Sequence, residues 1–406
     1  MKPIHVLLVM VALASLAMPA LAATLVVAES GGDHADLQAA VDAAGSGDAI
    51  EVRSGTYPGR VTVGKPLSIT GSGDNCRIGT AKDEYGLLVT AEGVTLRNLG
   101  LAGSDVAVSL NNAHSAAIES CRVERGERGI LLVDSRAVTV TDSDISADFI
   151  GIEASNTSQI RISGTRIAGA TQGIVLYQAE NAALRDNRIE DCTIGLFIHE
   201  SAGGVLENTA LSRLRGGVAL LMAVDWTIRG STLEAVDQYL DACMSSGCRI
   251  EAGSLDGPDP FVSDAISANR YDIGMLSVEG RDFSLSADAT PAPAGYVRYG
   301  ECYRIAFIDV ASTAGSMVRV EADTENLDLN GTEPGTLGIY RVDGPVTQVP
   351  GLEAGNSTVA AVILEPGSYA LAAKVEGSDG LLIWAAFIVL IAVALASAIL
   401  YFKAQR

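Results

Sequence analysis

The sequence predicts an all-β protein: a parallel β-helix of 22-residue coils with an N-terminal capping helix, then a small β-sandwich and a C-terminal transmembrane helix. Three observations carry this. Glycines fall at Gly129, Gly151, Gly173, Gly195 and Gly217, each 22 residues after the last. Steps of 22 also link aliphatic columns: Leu96, Ile118, Val140, Ile162, Leu184, Leu206, Ile228 and Ile250 form one, and Val108, Ile130, Ile152, Ile174, Leu196, Val218 and Leu240 another. Within a coil the apolar residues come in short bursts two apart, as at Ile174 and Leu176, which is the period of a strand and not of a helix. A coil of such short strands cannot bury its own apolar side, so the coils must stack, like residue on like.

In chain order, residues 1–22 carry Lys2, an apolar run and the small-residue ending Ala20-Leu21-Ala22, the pattern of a secretory signal. Residues 23–257 are the β-helix. Its open N-terminal end needs a lid, and Leu37, Ala40, Val41 and Ala44 have helical spacing, with Asp36 before them and Gly45 and Gly47 to end the helix. Small polar residues in register, Cys121, Ser143, Thr165, Asn187, Thr209 and Ser231, predict a hydrogen-bonded ladder at one corner. The repeat fails after Leu255. Residues 258–291 are rich in Pro, Asp and Gly and read as a linker, and residues 292–379 alternate as an antiparallel sandwich does. Residues 381–402 contain no charge, and a helix of that length rises about 33 Å, enough to cross a bilayer. Lys403 and Arg406 in the short tail, 403–406, favour a cytoplasmic C-terminus. The expected location is therefore the cell membrane, single-pass, with a large N-terminal extracellular domain.

The capping helix followed by "GDAIEVRSGTYPGRVTVGKPLSITG" resembles the start of right-handed parallel β-helix proteins of the pectin-lyase-like superfamily. The coils, with segments such as "LRDNRIEDCTIGLFI", resemble CASH and NosD-type repeats. This resemblance covers about residues 24–257 and implies a right-handed fold. It implies no single activity, because the superfamily holds lyases, hydrolases, epimerases and non-enzymes. The string from Gly335 to Lys374 resembles a β-rich module found near the membrane end of archaeal surface proteins.

A formal net charge of −21 argues against nucleic acid as a partner, since phosphate binding needs a basic face. Glycoside cleavage needs paired carboxylates, and the Asp-Asp, Gly-His-Gly and Arg-x-Lys segments of polygalacturonases are absent. The nearest cluster is Asp142 and Asp144 beside the Arg122, Arg166 and Arg188 column, a charge ladder able to grip an anionic sugar and equally readable as a solvated face of ion pairs. The four histidines have no metal-ligand spacing, so no metal or other cofactor is expected; calcium would suit the acids, but no residue set marks a site for it. Cys243 and Cys248 are the one pair close enough in sequence to suggest a disulfide, while Cys76, Cys121, Cys192 and Cys302 cannot be paired. Sequons at Asn156, Asn330 and Asn356 allow glycosylation.

Outward positions of the strands after the repeat glycines include Leu131, Val175, Phe197 and Ala219 and, beside them, Val133, Tyr177, His199 and Leu221. An apolar stripe this size should not simply meet water. It reads first as packing against the C-terminal module or another subunit, and second as a sugar-stacking platform of Tyr177, Phe197 and His199. The leading function is a non-catalytic, membrane-anchored surface protein for glycan binding, adhesion or envelope structure, with an envelope glycan or protein as partner. The alternative is a surface polysaccharide lyase or glycoside hydrolase.

Overall fold

The structure is a computed structural model that describes residues 22–376, apart from residues 74, 254–260, 309–316, 334 and 353–356. The signal-like segment up to residue 21 and the expected membrane helix, 381–402, lie outside the described residues. Among the described residues no helix is long and apolar enough to cross a membrane. The chain divides into two units, one ending at Ala147 and the other beginning at Asp148.

Unit 1 is a parallel β-solenoid with three ladders. In one, Thr24–Val27 pairs with Ala49–Val52, which continues through Ser68–Gly71, Thr95–Arg97 and Ala117–Glu119 to Thr139–Thr141. A second runs from Val61–Val63 through Tyr85–Val89 and Val106–Asn111 to Arg128–Val133. The third runs from Gly55–Tyr57 through Cys76–Ile78, Gly100–Leu101 and Arg122–Glu124 to Asp144–Ser146. The capping helix is Leu37–Ala43, with Leu37, Ala40 and Val41 buried and Asp36 accepting from the Ala39 N–H at 2.9 Å. It stops just short of the glycines: Ala44 is already extended while its N–H still bonds the Ala40 carbonyl.

Unit 2 repeats the three ladders over coils that begin at Ile150–Ser158, Arg161–Ser163 and Arg166–Ala168. The inward columns are complete, with Ile152, Ile174, Leu196 and Leu240 wholly buried. Each coil turns at corners where one residue adopts a left-handed conformation. In the coil from Gln178 these are Gln178, Asn181, Asp186 and Asp191, with φ of 49°, 54°, 56° and 55°. Asn and Asp tolerate that region because their short side chains bond locally. The repeat glycines do not make these turns. Gly173 sits inside the strand Gln172–Glu180, and a Cβ there would lie 2.6 Å from the Gly195 carbonyl of the next coil. The column is glycine because successive coils approach too closely for any side chain.

The predicted corner ladder is present: the Cys121 N–H donates to Ser143 Oγ at 3.2 Å, and the Thr165 N–H to Asn187 Oδ1 at 3.1 Å. A second ladder, with no counterpart among the sequence-based expectations, runs along another corner. The Ala179 N–H donates to Ser201 Oγ at 2.9 Å, Ala223 to Ser245 at 3.1 Å and Ser245 to Ser267 at 3.0 Å.

The structure corrects two expectations. Residues 258–291 read as a linker in sequence, yet four strands span 262 to 288. Val262–Ala265 and Ala268–Ile273 pair parallel to the coil before them and antiparallel to the strands after them. The strand direction reverses here, so the 22-residue period disappears although strand structure continues. Beyond the reversal, Leu276–Gly280 pairs with Val318–Asp323 and that with Thr358–Ile363, while Phe283–Asp288 pairs with Tyr296–Phe307 and that with Gly367–Lys374. Val278 and Val320 of the first sheet line a small cavity with Leu285, Ile305, Ile339 and Leu371 of the second. The expected disulfide also fails, because Cys243 and Cys248 are both free thiols. Cys243 lies on the outward column opposite Leu221. Cys248 is 1% exposed and its thiol faces the Ala223 carbonyl. The two side chains point to opposite sides of the coil wall.

Candidate functional site

The outward face of unit 2 is built by strand alternation. In Gln172–Glu180, Ile174 and Leu176 enter the core and Val175 and Tyr177 face out; the next coil repeats this with Leu196 and Ile198 in, Phe197 and His199 out. Parallel register sets Tyr177 against His199, then Leu221 and Cys243, and Val175 against Phe197, then Ala219 and Asp241. The Tyr177 and His199 rings are 5.1 Å apart and tilted by 53°, and Phe197 and His199 are 6.0 Å apart, tilted by 41°. Tyr177 is 37% exposed. A polar rim borders the rings at the corner: Gln178 Nε2 donates to Glu200 Oε2 at 2.8 Å, and His199 Nε2 lies 3.7 Å from Glu200 Oε1. The predicted trio is therefore one continuous surface. The C-terminal strands extend the ladders end-on, and among the described residues none pairs across this wall.

The wall carries two acids, Glu153 and Asp241, at opposite ends of one column. They are four coils apart, roughly 19 Å at the ordinary strand spacing. Glycoside cleavage needs carboxyls about 5–10 Å apart, so these two cannot act as a pair. Desolvation raises the Asp241 carboxyl, opposed by a hydrogen bond from Ser263.

The charged residues singled out in the sequence fall elsewhere. Asp142, in unit 1, is at a left-handed corner with φ of 50°, which accounts for an aspartate there. Asp144 sits in register with Arg122. Arg166 and Arg188 stack in unit 2 and converge on a residue not singled out, Glu190. Glu190 is 3% exposed and accepts from Arg166 Nε at 2.6 Å, Arg188 Nε at 2.7 Å and Arg213 Nη2 at 2.9 Å. The Arg188 hydrogen bond, with those from Arg213 and Arg166, outweighs burial and holds this carboxyl at about 2. Arg213 likewise lowers Asp191. An acid held so low carries no proton to donate at neutral pH, so Glu190 is no general acid, and its three arginine partners make this face an ion-pair network. The spacing Arg166, Arg188 with an acid two residues beyond the second arginine was the available signal. Glu190→Gln is expected to lower stability at pH 7 by about 2 kcal/mol through weakened charge-assisted hydrogen bonds. Because its folded value lies below the ordinary one, its contribution is present above pH 4.5 and is lost as pH falls toward 2. Urea unfolding of wild type and variant at pH 7 and pH 3 checks both parts, the gap narrowing at the lower pH.

Of the sequons, Asn156 and Asn330 are exposed, and Asn356 lies outside the described residues.

Residues 45–210 match the family model of NosD, described as a periplasmic copper-binding protein. The match spans less than half of the chain. Comparison with curated proteins gives no match. Among solved structures, the complex of XylC with xylose is similar at 10% identity over 61% of this chain and 71% of that one, with a TM-score of 0.52. Polygalacturonase from Erwinia carotovora ssp. carotovora aligns at 8% identity over 63% of this chain and 94% of that one, TM-score 0.48. Pectate lyase Pel9A aligns at 12% identity over 62% and 76%, TM-score 0.40. Identities this low speak to fold alone. The XylC likeness and the NosD match are in keeping with the parallel β-solenoid described above.

Copper does not fit the described residues. Among the described residues no group of three or more His, Cys, Asp and Glu side chains is placed to hold a metal. His114 Nδ1 accepts the Arg136 N–H at 3.2 Å. Burial pushes the Cys121 and Cys248 thiols up to about 11, which keeps them protonated and poor as ligands.

Proposed function

We propose that the protein is an exported, non-catalytic β-helix, tethered to the membrane by residues 381–402, that binds envelope glycan on the wall formed by Tyr177, Phe197 and His199. The carrying observation is the aromatic ladder itself: three rings on adjacent coils, outward-facing, with a Gln178–Glu200 rim to engage hydroxyls. Sugar rings present apolar faces that stack on aromatic side chains while their hydroxyls need polar partners at the edge, and this wall offers both. The roughly 19 Å between the wall's two carboxylates supports binding without cleavage. Export is supported by the periplasmic description of the matching family and by the signal-like start.

On a glycan array the full chain is expected to retain a defined set of glycans, with Tyr177→Ala weakening them about ten-fold, near 1.4 kcal/mol, and Tyr177→Phe close to wild type. Equal binding by wild type and Tyr177→Ala would overturn the assignment of the site. Release of new reducing or unsaturated ends from a bound polymer would overturn the non-catalytic reading. The raised carboxyl of Asp241 at one end of the wall is the observation favouring that rival, and Asp241→Asn would then abolish release.

A further inference from the structure

A second surface of different chemistry lies in unit 1 and is independent of the wall. One column of the third ladder there reads Arg77, Gly100, Arg122 on consecutive coils. The missing side chain at Gly100 leaves a notch between two arginines, and the notch opens a cleft of about 230 Å³ lined also by Asn75, Ser120 and Glu124. Gly100 is not demanded by the backbone. Its φ is not in the left-handed region, and a Cβ added there would meet the Cys76 carbonyl at 3.5 Å and Arg77 at 3.7 Å, ordinary contact distances.

The two arginines are in different electrostatic states. Arg77 reaches across the notch and forms an ion pair with Glu124, so its charge is matched. Arg97, on a neighbouring face, is matched in the same way by Glu119, which accepts from its Nε at 2.8 Å. Arg122 is exposed, and its guanidinium has no hydrogen-bond or ion-pair partner among the described residues. Among the described residues that line the cleft, Arg77, Arg122 and Glu124 leave one positive charge unmatched, in a chain of formal net charge −21. A guanidinium presents five N–H donors in a planar fork that fits a carboxylate, sulfate or phosphate. Ser120 and Asn75 line the same cleft and bring a hydroxyl and an amide to it, and Glu124 supplies acceptors for ligand hydroxyls.

We propose that this cleft binds one oxyanion group, a carboxylate or a tetrahedral sulfate or phosphate, carried by a small hydroxylated molecule. Its size admits a single sugar-sized unit, and the single unmatched guanidinium of its described lining suits one negative group.

The test is calorimetric titration of the full chain with sodium glucuronate, inorganic sulfate, inorganic phosphate and, as the uncharged control, glucose. Saturable binding of at least one anion is expected, with glucose inert. Binding of glucuronate alone assigns the site to carboxylates, and binding of sulfate or phosphate alone to tetrahedral oxyanions; both uphold the proposal. Arg122→Gln is expected to weaken binding about ten-fold or more through loss of a charge-assisted fork. Gly100→Leu fills the notch without touching Arg122 and should weaken it as much, while Arg97→Gln leaves it unchanged. Unaltered circular dichroism and melting of each variant separates lost binding from lost fold. The proposal is overturned if no anion binds, if glucose binds equally, or if Arg97→Gln has the same effect as Arg122→Gln.

Discussion

Gly217→Ala is expected to destabilise the protein by about 3 kcal/mol, while Gly216→Ala, one residue away, changes stability by no more than about 0.5 kcal/mol. A Cβ on Gly217 would lie 2.6 Å from the Tyr239 carbonyl of the next coil, a distance only backbone movement relieves. A Cβ on Gly216 meets nothing nearer than Ile194 Cγ1 at 3.8 Å. Neither residue adopts a left-handed φ, so the contrast isolates coil-to-coil approach from backbone conformation. Urea unfolding monitored by circular dichroism measures both. Equal effects at the two positions would show that the glycine column serves something other than close stacking.

The second large effect concerns pH. Asp264 is wholly buried where the parallel coils give way to antiparallel strands. Its Oδ2 accepts from the Tyr271 hydroxyl and from Asn269 Nδ2 at 3.2 Å, and its Oδ1 has no hydrogen-bond partner among the described residues. Burial pushes the carboxyl up to about 6 against the hydrogen bonds from Tyr271 and Asn269, and the nearby Asp282 charge adds to the rise. The folded state thus holds this proton more tightly than the unfolded chain, whose value is near 3.8. Below pH 3.8 the group imposes no charge-burial cost; the cost grows between pH 3.8 and 6 and is complete above that. Asp264→Asn removes the charge and keeps an acceptor for Tyr271. The variant is expected to gain on wild type as pH rises through that window, by on the order of 3 kcal/mol at pH 7. A stability difference independent of pH between about 3.5 and 7.5 would sink this account.

The repeat was legible because burial enforces it. Ile152, Ile174 and Leu196 must all face one core, so the 22-residue period survives every other change in the coil. The aromatic wall was legible for the same reason, since strand alternation fixes Tyr177, Phe197 and His199 once Leu176 and Ile198 are placed. The role of the glycine column was not legible. Glycine suits both a left-handed turn and a close approach, and only coordinates separate them. Asp142 misled in the opposite sense: beside Asp144 and the arginine column it looked like part of a charge ladder, but it is a left-handed corner residue, as are Asp186 and Asn208. The Glu190 network was hidden because Arg166, Arg188 and Arg213 come from three coils, and Arg213 falls outside the column that joins the other two. The four strands between 262 and 288 were hidden by the reversal of direction, which removes the period while keeping the strands.

That reversal separates two modes of change. Within the parallel part of unit 2, each coil pairs only with the one before and the one after, and each presents the same inward columns. Gain or loss of one complete 22-residue segment there would shift everything beyond it by one strand spacing, about 4.8 Å, and leave every buried position buried. Gain or loss of any other number of residues within the strands would break the columns. Beyond Ile273 no such quantum exists, because the antiparallel strands pair at unequal sequence separations with no common repeat. The solenoid is therefore the part whose length evolution can count out in whole coils, and the antiparallel end is the fixed punctuation after it.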